Sequence, residues 1–271
     1  MPLPPASMLA MCATIVLCFL LPALLGLYAA RRERKLIVPV LLGAAGFALP
    51  QLLIRLPLLQ LLRLSEGVQA FAAQHTALYG LLLAFTAALF ETAGRVFVFR
   101  VALKKRLSYN TGFAAGLGHG GVEAVALVAS TYLNYLLCSL LPGLGIPLPD
   151  AVSGVLTQLA AVPAATFLAA GVERAGTILF HIAMSVLVCW FVSRGKTVQG
   201  ALLVLLIHTI LDFVTVMLSA AGWNLWAIEG VIGLFALLSL LLLAWVRGRF
   251  APLVHPDYEK GGRPAPEPAK S

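Results

Sequence analysis

The amino-acid sequence predicts an all-α protein: a polytopic transmembrane helical bundle of about seven spans. Hydrophobic residues make up 61% of the chain and charged residues only 11%, whereas charged residues form about 25% of a soluble domain. Apolar runs recur that are long enough to cross a bilayer, for which about 20 residues suffice. The formal net charge of +8 comes from short basic clusters between these runs, as in the loops of membrane proteins. We therefore expect a lipid bilayer as the environment and no nucleic acid as a partner.

The first three spans are predicted at residues 7–30, 36–62 and 76–101. No basic segment precedes the first span and no small-residue cleavage site follows it, so we expect a retained helix rather than a signal peptide. The second span contains three prolines, which a membrane helix tolerates when its neighbours satisfy the freed carbonyls. It also contains Arg55, whose long side chain we expect to extend toward the outer interface.

The fourth span is predicted at residues 111–140. The segment 142–176 that follows contains too many proline and glycine residues for one simple span. Within it, residues 150–170 are interpreted as an amphipathic or re-entrant helix on the outer side, with Asp150 as its N-cap. The last three spans are predicted at residues 172–192, 198–220 and 224–246.

Alternation of seven spans places every strong basic cluster on one side of the membrane. These clusters are residues 31–35, 100–106, 194–196 and 247–249. The positive-inside rule then predicts an outer N-terminus and a cytoplasmic C-terminus, in what we expect to be a prokaryotic plasma membrane. Residues 1–250 are interpreted as one transmembrane domain, with residues 76–220 as its core. A tail rich in proline, glycine and charge, residues 251–271, is predicted to be disordered and cytoplasmic.

Ionisable side chains within the predicted spans are the clearest functional signal. Each costs roughly 2.5–3.5 kcal/mol on insertion scales, so such residues are functional candidates by default. In the fourth span, His119 and Glu123 are four residues apart and therefore share one helical face. Four glycines flank His119, and residues without side chains allow neighbouring helices to approach closely. We expect other helices to bring polar groups to the same point.

Four predicted spans carry ionisable residues to a similar depth. At about 1.5 Å per residue, Glu91 and His119 lie roughly 13 Å, and His181 and His208 roughly 18–20 Å, from the cytoplasmic ends of their spans. The candidate catalytic residues are Glu91, Arg95, His119, Glu123, His181, His208 and Asp212.

These residue types suit the hydrolysis of a peptide bond. A carboxylate can activate water as a general base while an imidazole stabilises the developing oxyanion. The same groups can instead bind a divalent metal such as zinc, with His119, His181 and His208 as candidate ligands. The HExxH, GxSxG and presenilin-type aspartate signatures are all absent from the sequence. A structural alternative is an intrahelical ion pair between Glu91 and Arg95, with the histidines hydrogen-bonded between helices.

Four motifs in this order resemble those of a known group. They are ExxxR at Glu91 and Arg95, GxGHGGxE at residues 116–123, His181 in the next core helix, and HxxxD at His208 and Asp212. The pattern resembles the YhfC family of intramembrane peptidases over roughly residues 76–220. That family belongs to the clan of the type II CAAX prenyl endopeptidases and bacterial CPBP proteins. Its relatives include the PrsW-like proteases and the Aph subunit of gamma-secretase.

The resemblance implies a polar site inside the bilayer that cleaves a membrane-protein or peptide substrate. CAAX-type proteins have two adjacent glutamates before the arginine, whereas here Phe90 precedes Glu91. Glu123, which matches the second-motif glutamate of PrsW-like proteins, or Glu91 is then the base. His208 and Asp212 match the positions that hold the oxyanion or a metal.

Our first hypothesis is an intramembrane peptidase of the metallo- or glutamate type. In this hypothesis, His119 orients the water, and His181 and His208 serve as oxyanion or metal ligands. Asp212 is the orienting residue. The second hypothesis is a non-catalytic membrane scaffold related to the Aph subunit. A third is an ion-coupled transporter, although the sequence lacks the internal repeats typical of that class.

Overall fold

The structure is a computed structural model that describes residues 3–250, and this part of the chain contains helices and turns but no strand. Seven of its helices are long and apolar enough to span a membrane, which confirms the predicted all-α polytopic bundle. They are α1 (Pro5–Arg32), α2 (Arg34–Leu62), α4 (Thr76–Ala102), α5 (Tyr109–Leu144), α7 (Ala164–Ser193), α8 (Thr197–Ala220) and α9 (Leu225–Arg247). Two shorter helices are α3 (Glu66–Gln74) and α6 (Asp150–Ala160). The predicted tail, residues 251–271, lies outside the described residues.

The segment between α5 and α7 differs from the prediction. Residues 150–170 do not form one re-entrant helix, because α6 ends at Ala160 and α7 begins at Ala164. Pro163 immediately precedes α7, where a proline is tolerated because the first helical N–H groups need no intrahelical acceptor. Asp150 is the first residue of α6 rather than its N-cap, and its side chain makes no capping bond. The fifth span therefore starts eight residues earlier than predicted.

Helix α7 is the central element of the bundle. In its most apolar stretch 61% of residues are buried, against 17% for α1, α8 and α9. Helix α5 packs against it through Gly112, Gly116 and Gly120, where an added β-carbon would overlap or crowd the backbone of α7. Gly118 faces the opposite way and lies against the backbone of α2 at Val40. The predicted close approach at these glycines is therefore present, and it brings His119 between two neighbouring helices.

Three of the spanning helices contain π-helical turns close to the buried polar residues. These turns are Ala48–Arg55 in α2, Val98–Ala102 in α4 and Ala124–Ala129 in α5. A π turn inserts an extra residue, so it changes which side chains face the interior, and such turns are common at functional sites. The first contains Gln51 and Arg55, and the third follows Glu123 directly.

The basic clusters lie together at one end of the bundle. Arg194 Nη2 donates to the Arg249 carbonyl at 2.8 Å, and Arg100 Nη1 donates to Thr197 Oγ1 at 3.2 Å. Arg32 and Arg247 line one shared surface cavity. We call this end of the helical bundle the basic end. The seven spans support an integral membrane protein, and assignment of the basic end to the cytoplasm stays a prediction.

Candidate metal and catalytic site

Four helices bring all seven candidate residues into one buried cluster. Helix α4 supplies Glu91 and Arg95, α5 supplies His119 and Glu123, α7 supplies His181, and α8 supplies His208 and Asp212. All but Asp212 are buried. Asp212 is partly exposed, and its Oδ2 lies 3.4 Å from His208 Nε2.

Both oxygens of the Glu91 carboxylate have polar partners. Its Oε1 accepts a hydrogen bond of 2.7 Å from Gln51 Nε2. Its Oε2 accepts from Arg95 Nη2 at 3.3 Å and lies 3.0 Å from His119 Nε2. Arg55 Nη1 in turn donates to Gln51 Oε1 at 3.3 Å. Glu91 therefore has fixed partners on both oxygens.

One guanidinium nitrogen lies at the centre of the cluster. Arg95 Nη2 is 2.6 Å from His181 Nδ1 and 2.9 Å from His119 Nε2, besides its contact with Glu91 Oε2. Arginine can only donate, so the proton of a neutral His181 resides on Nε2, which faces Glu123. Arg95 Nε and Nη1 are buried and have no hydrogen-bond partner within residues 3–250. Three atoms of types that bind metals, Glu91 Oε2, His119 Nε2 and His181 Nδ1, thus lie around one cationic nitrogen.

Glu123 has a different environment. Its Oε1 accepts a hydrogen bond of 3.3 Å from Arg174 Nη1, and Arg174 also pairs with Glu173. Its Oε2 lies 2.6 Å from His181 Nε2, yet the two are not aligned as a hydrogen bond and this oxygen has no such partner among the described residues. This oxygen therefore has a close contact with His181 but no aligned hydrogen bond, and it can still accept one from water or a ligand.

His208 also has a buried polar atom without a hydrogen-bond partner among the described residues. Its Nδ1 is 3.7 Å from Glu91 Oε2, beyond hydrogen-bond distance. Glu123, His208 and Asp212 line a cavity of about 200 Å³, which we call the polar cavity. This volume is sufficient for several waters at about 30 Å³ each. Both unpartnered groups therefore border a space that can hold water and part of a substrate.

The residues present fit a divalent metal. Glu91, His119, Glu123 and His181 each offer a donor atom, and these atoms all lie within 4.8 Å of one another. Two imidazoles with a carboxylate form a ligand set known in catalytic zinc sites. Arg95 Nη2 shows that three of the donors can contact one cation. Of the three predicted histidine ligands, His119 and His181 belong to this group, whereas His208 does not.

The predicted position of Arg55 at the outer interface is wrong, and Gln51, Glu173 and Arg174 are site residues that the sequence pattern did not reveal. Arg55 does not extend to the interface: it is 8% exposed and donates to the Leu83 carbonyl at 2.7 Å. The π turn around it directs the side chain inward, where it lines the polar cavity. Spacing could have revealed these residues, because Gln51 and Arg55 are four apart. Arg174 precedes His181 by seven, a spacing that places both on one helical face.

Comparison with known proteins identifies a family to which this sequence is similar. Residues 17–247 match the model of a family described as YhfC intramembrane metalloprotease. The chain is also 26% identical over 133 residues to the "Uncharacterized membrane protein YhfC" of Bacillus subtilis (strain 168). That alignment covers 46% of this chain, and the chain spans about half, 52%, of the relative's length. No solved structure matches the chain.

Proposed function

The chain belongs to the YhfC intramembrane metalloprotease family, and from this premise we propose that it hydrolyses a peptide bond of a membrane protein within or near the bilayer. The observation that carries the proposal is Glu123 Oε2, which makes no aligned hydrogen bond with any described residue, contacts His181 Nε2 at 2.6 Å, and lies beside the polar cavity and a cluster of metal-type donors. A purely structural carboxylate in an apolar bundle would be expected to have both oxygens satisfied.

Glu91, His119 and His181 are the residues that would hold the metal. Their donor atoms already surround one cationic nitrogen. A divalent ion held by these residues would supply Lewis acidity toward the carbonyl of the scissile bond. Gln51, through its hydrogen bond to Oε1, fixes the orientation of the Glu91 carboxylate. Such outer partners commonly tune ligand geometry.

Glu123 is proposed as the general base. Its Oε2 accepts a proton from the attacking water and later returns it to the nitrogen of the departing amine. Arg174 holds the other oxygen, so Oε2 stays directed toward His181 and the polar cavity. This arrangement favours Glu123 over Glu91, whose two oxygens both have fixed partners.

His208 is proposed to stabilise the oxyanion that forms at the carbonyl oxygen. Its unpartnered Nδ1 borders the polar cavity, so it can donate a hydrogen bond to a negative charge that develops there. Asp212 Oδ2, 3.4 Å from Nε2, orients the ring.

The metal content of purified protein tests this proposal. We expect about one divalent metal per chain in wild type, measured by elemental mass spectrometry, and its loss in His119→Ala and His181→Ala. His75→Ala is the matched control, because His75 is exposed in the turn between α3 and α4. A wild-type protein that takes up no metal after incubation with zinc, cobalt or manganese would contradict the proposal.

A scaffold function is the second candidate, and one observation favours it. Arg95 links α4, α5 and α7 through its contacts to Glu91, His119 and His181, an arrangement that stabilises a bundle without any chemistry. A scaffold would lose thermal stability in His119→Ala and His181→Ala by the same amount with and without added metal. The peptidase gains stability from metal, and only when both histidines are present.

A further inference from the structure

A second cavity lies between α7 and α9, at the end of the bundle opposite the basic end. Its volume is about 490 Å³, and its walls are almost entirely apolar, with Leu168 and Val172 on α7 and Trp226 and Gly233 on α9. The two helices touch where Gly176 faces Ala236. The cavity lies on the N-terminal side of that contact on both helices. We call it the α7–α9 cleft.

The cleft borders the polar cavity directly. Glu173 and Ile232 line both spaces. Glu173 is adjacent in sequence to Arg174, which holds the proposed base Glu123. An apolar chain that entered the cleft from the lipid would therefore reach the wall of the proposed catalytic site.

A carboxylate of the cleft is available for a cation. Glu229 lies in α9 and lines the cleft, and it forms no hydrogen bond or ion pair with any residue that the structure describes. Glu173, in contrast, pairs with Arg174. Carboxylates in membrane helices usually face a partner or a path for a substrate. The cleft thus combines apolar walls with one carboxylate that has no hydrogen bond or ion pair among the described residues.

We propose that the α7–α9 cleft is the substrate-binding subsite for an apolar peptide segment that carries a basic side chain. The segment enters laterally from the bilayer, its lysine or arginine pairs with Glu229, and its scissile bond lies beyond Glu173 in the polar cavity. The cleft extends from residue 165 to residue 176 of α7, roughly 16 Å along a helix. This length accommodates about five extended residues at about 3.3 Å each. The proposal rests on the proposed peptidase function.

Two glycines of α9 provide a matched pair of variants. A β-carbon at Gly233 or at Gly230 would meet nothing within 4 Å, so both positions accept a large side chain without a clash. Only Gly233 lines the cleft. Gly233→Phe therefore fills the cleft, whereas Gly230→Phe adds the same bulk to the same helix elsewhere.

The experiment measures binding of a labelled synthetic single-span peptide, rich in leucine and alanine with one lysine near one end, to protein in lipid nanodiscs. A second peptide carries norleucine in place of the lysine. We expect Gly233→Phe to weaken binding of the lysine peptide about tenfold, a difference of about 1.4 kcal/mol, and Gly230→Phe to leave it unchanged. Glu229→Gln should weaken the lysine peptide about tenfold, as for a hydrogen bond to a charged group, and leave the norleucine peptide unaffected.

Three results would overturn the subsite. The first is equal binding of the lysine peptide to Gly233→Phe and Gly230→Phe. The second is equal binding of the lysine and norleucine peptides to wild type. The third is quenching of Trp226 fluorescence by brominated acyl chains that persists at saturating peptide. The last would identify lipid as the occupant, with Trp226→Phe as the control for the signal. Metal content of the same samples separates the two proposals. A metal-loaded wild type with any of these results overturns the subsite alone, whereas a metal-free wild type overturns the peptidase and the subsite with it.

Discussion

Glu91 and Glu123 lie in the same buried cluster, but their surroundings differ. Both Glu91 oxygens have fixed partners, Gln51 on one side and Arg95 with His119 on the other. Glu123 has Arg174 on one oxygen, and its other oxygen lacks a hydrogen bond and faces a cavity. A carboxylate with rigid partners is suited to hold a cation, whereas one with a free oxygen can accept and release a proton.

The neighbouring helices explain this difference. The half of the site around Glu91, which we call the saturated half, lies near the close approach of α2 and α5 at Gly43 and Gly118, and Glu91 also lines the polar cavity. The Glu123 side lies beside the π turn of α5 and the same cavity. The two carboxylates therefore differ in the polar partners that fix them rather than in their access to the cavity.

The largest expected effect comes from Glu123→Gln. Removal of a general base typically costs 10²–10⁴ in rate, and we expect turnover to fall about 10³-fold, while metal content stays near that of wild type. Turnover is measured by mass spectrometry of peptide products in nanodiscs, alongside elemental analysis. Glu66→Gln, in the exposed helix α3, is the matched control. Full turnover in Glu123→Gln would assign the base elsewhere and remove the proposed distinction between the two glutamates.

Glu91→Gln should act on metal binding instead. A neutral amide is a poor ligand, so we expect the dissociation constant for zinc to rise at least about 100-fold, the upper end of what the loss of an outer partner costs. Excess zinc should then restore part of the turnover, which it cannot do for Glu123→Gln. Competition with a chelator of known affinity measures the constant. If Glu91→Gln binds zinc as wild type does, Glu91 is not a ligand.

Much of this site could be predicted from the sequence, because its residues violate the apolar pattern of membrane spans. Glu91, His119, His181 and His208 are ionisable residues in hydrocarbon, and counting along straight helices placed them at a similar depth. The inward direction of Arg55 could not be predicted in this way. The π turn Ala48–Arg55 changes the face on which that side chain lies, and apolar composition does not reveal such turns.

The start of α7 shows a second limit of sequence reasoning. The sequence pattern assigns residues 150–170 to one outer helix and begins the fifth span at residue 172, which places Glu173 and Arg174 at the very edge of a span. In the structure they lie well inside α7. Arg174 therefore reaches Glu123, and Glu173 lines the boundary between the two cavities. Which residues form the cleft depends on where two helices separate, and this is a property of tertiary packing.

Arg95→Met tests whether the guanidinium competes with metal for the saturated half of the site. Arg95 Nη2 contacts the three proposed donors, and two cations cannot share those atoms. Metal binding must therefore displace hydrogen bonds between charged groups, which are worth about 1.5–3 kcal/mol each. We expect zinc affinity to rise about tenfold in Arg95→Met and the thermal stability of metal-free protein to fall. Arg63→Met, exposed after α2, should change neither. A weaker zinc affinity in Arg95→Met would show instead that Arg95 supports the ligands.

Gln51→Leu should give the smallest effect. It tests the outer hydrogen bond that orients the Glu91 carboxylate. Gln51 Nε2 donates to Glu91 Oε1 at 2.7 Å, so its loss frees the carboxylate to rotate without removing a ligand. A typical hydrogen bond contributes about 1 kcal/mol net, and we expect zinc to bind about fivefold more weakly. Gln60→Leu, exposed on the same helix, should leave the affinity unchanged. An effect of Gln51→Leu on turnover at saturating zinc, with no change in affinity, would place Glu91 in the proton transfer and so reverse the roles assigned to the two glutamates.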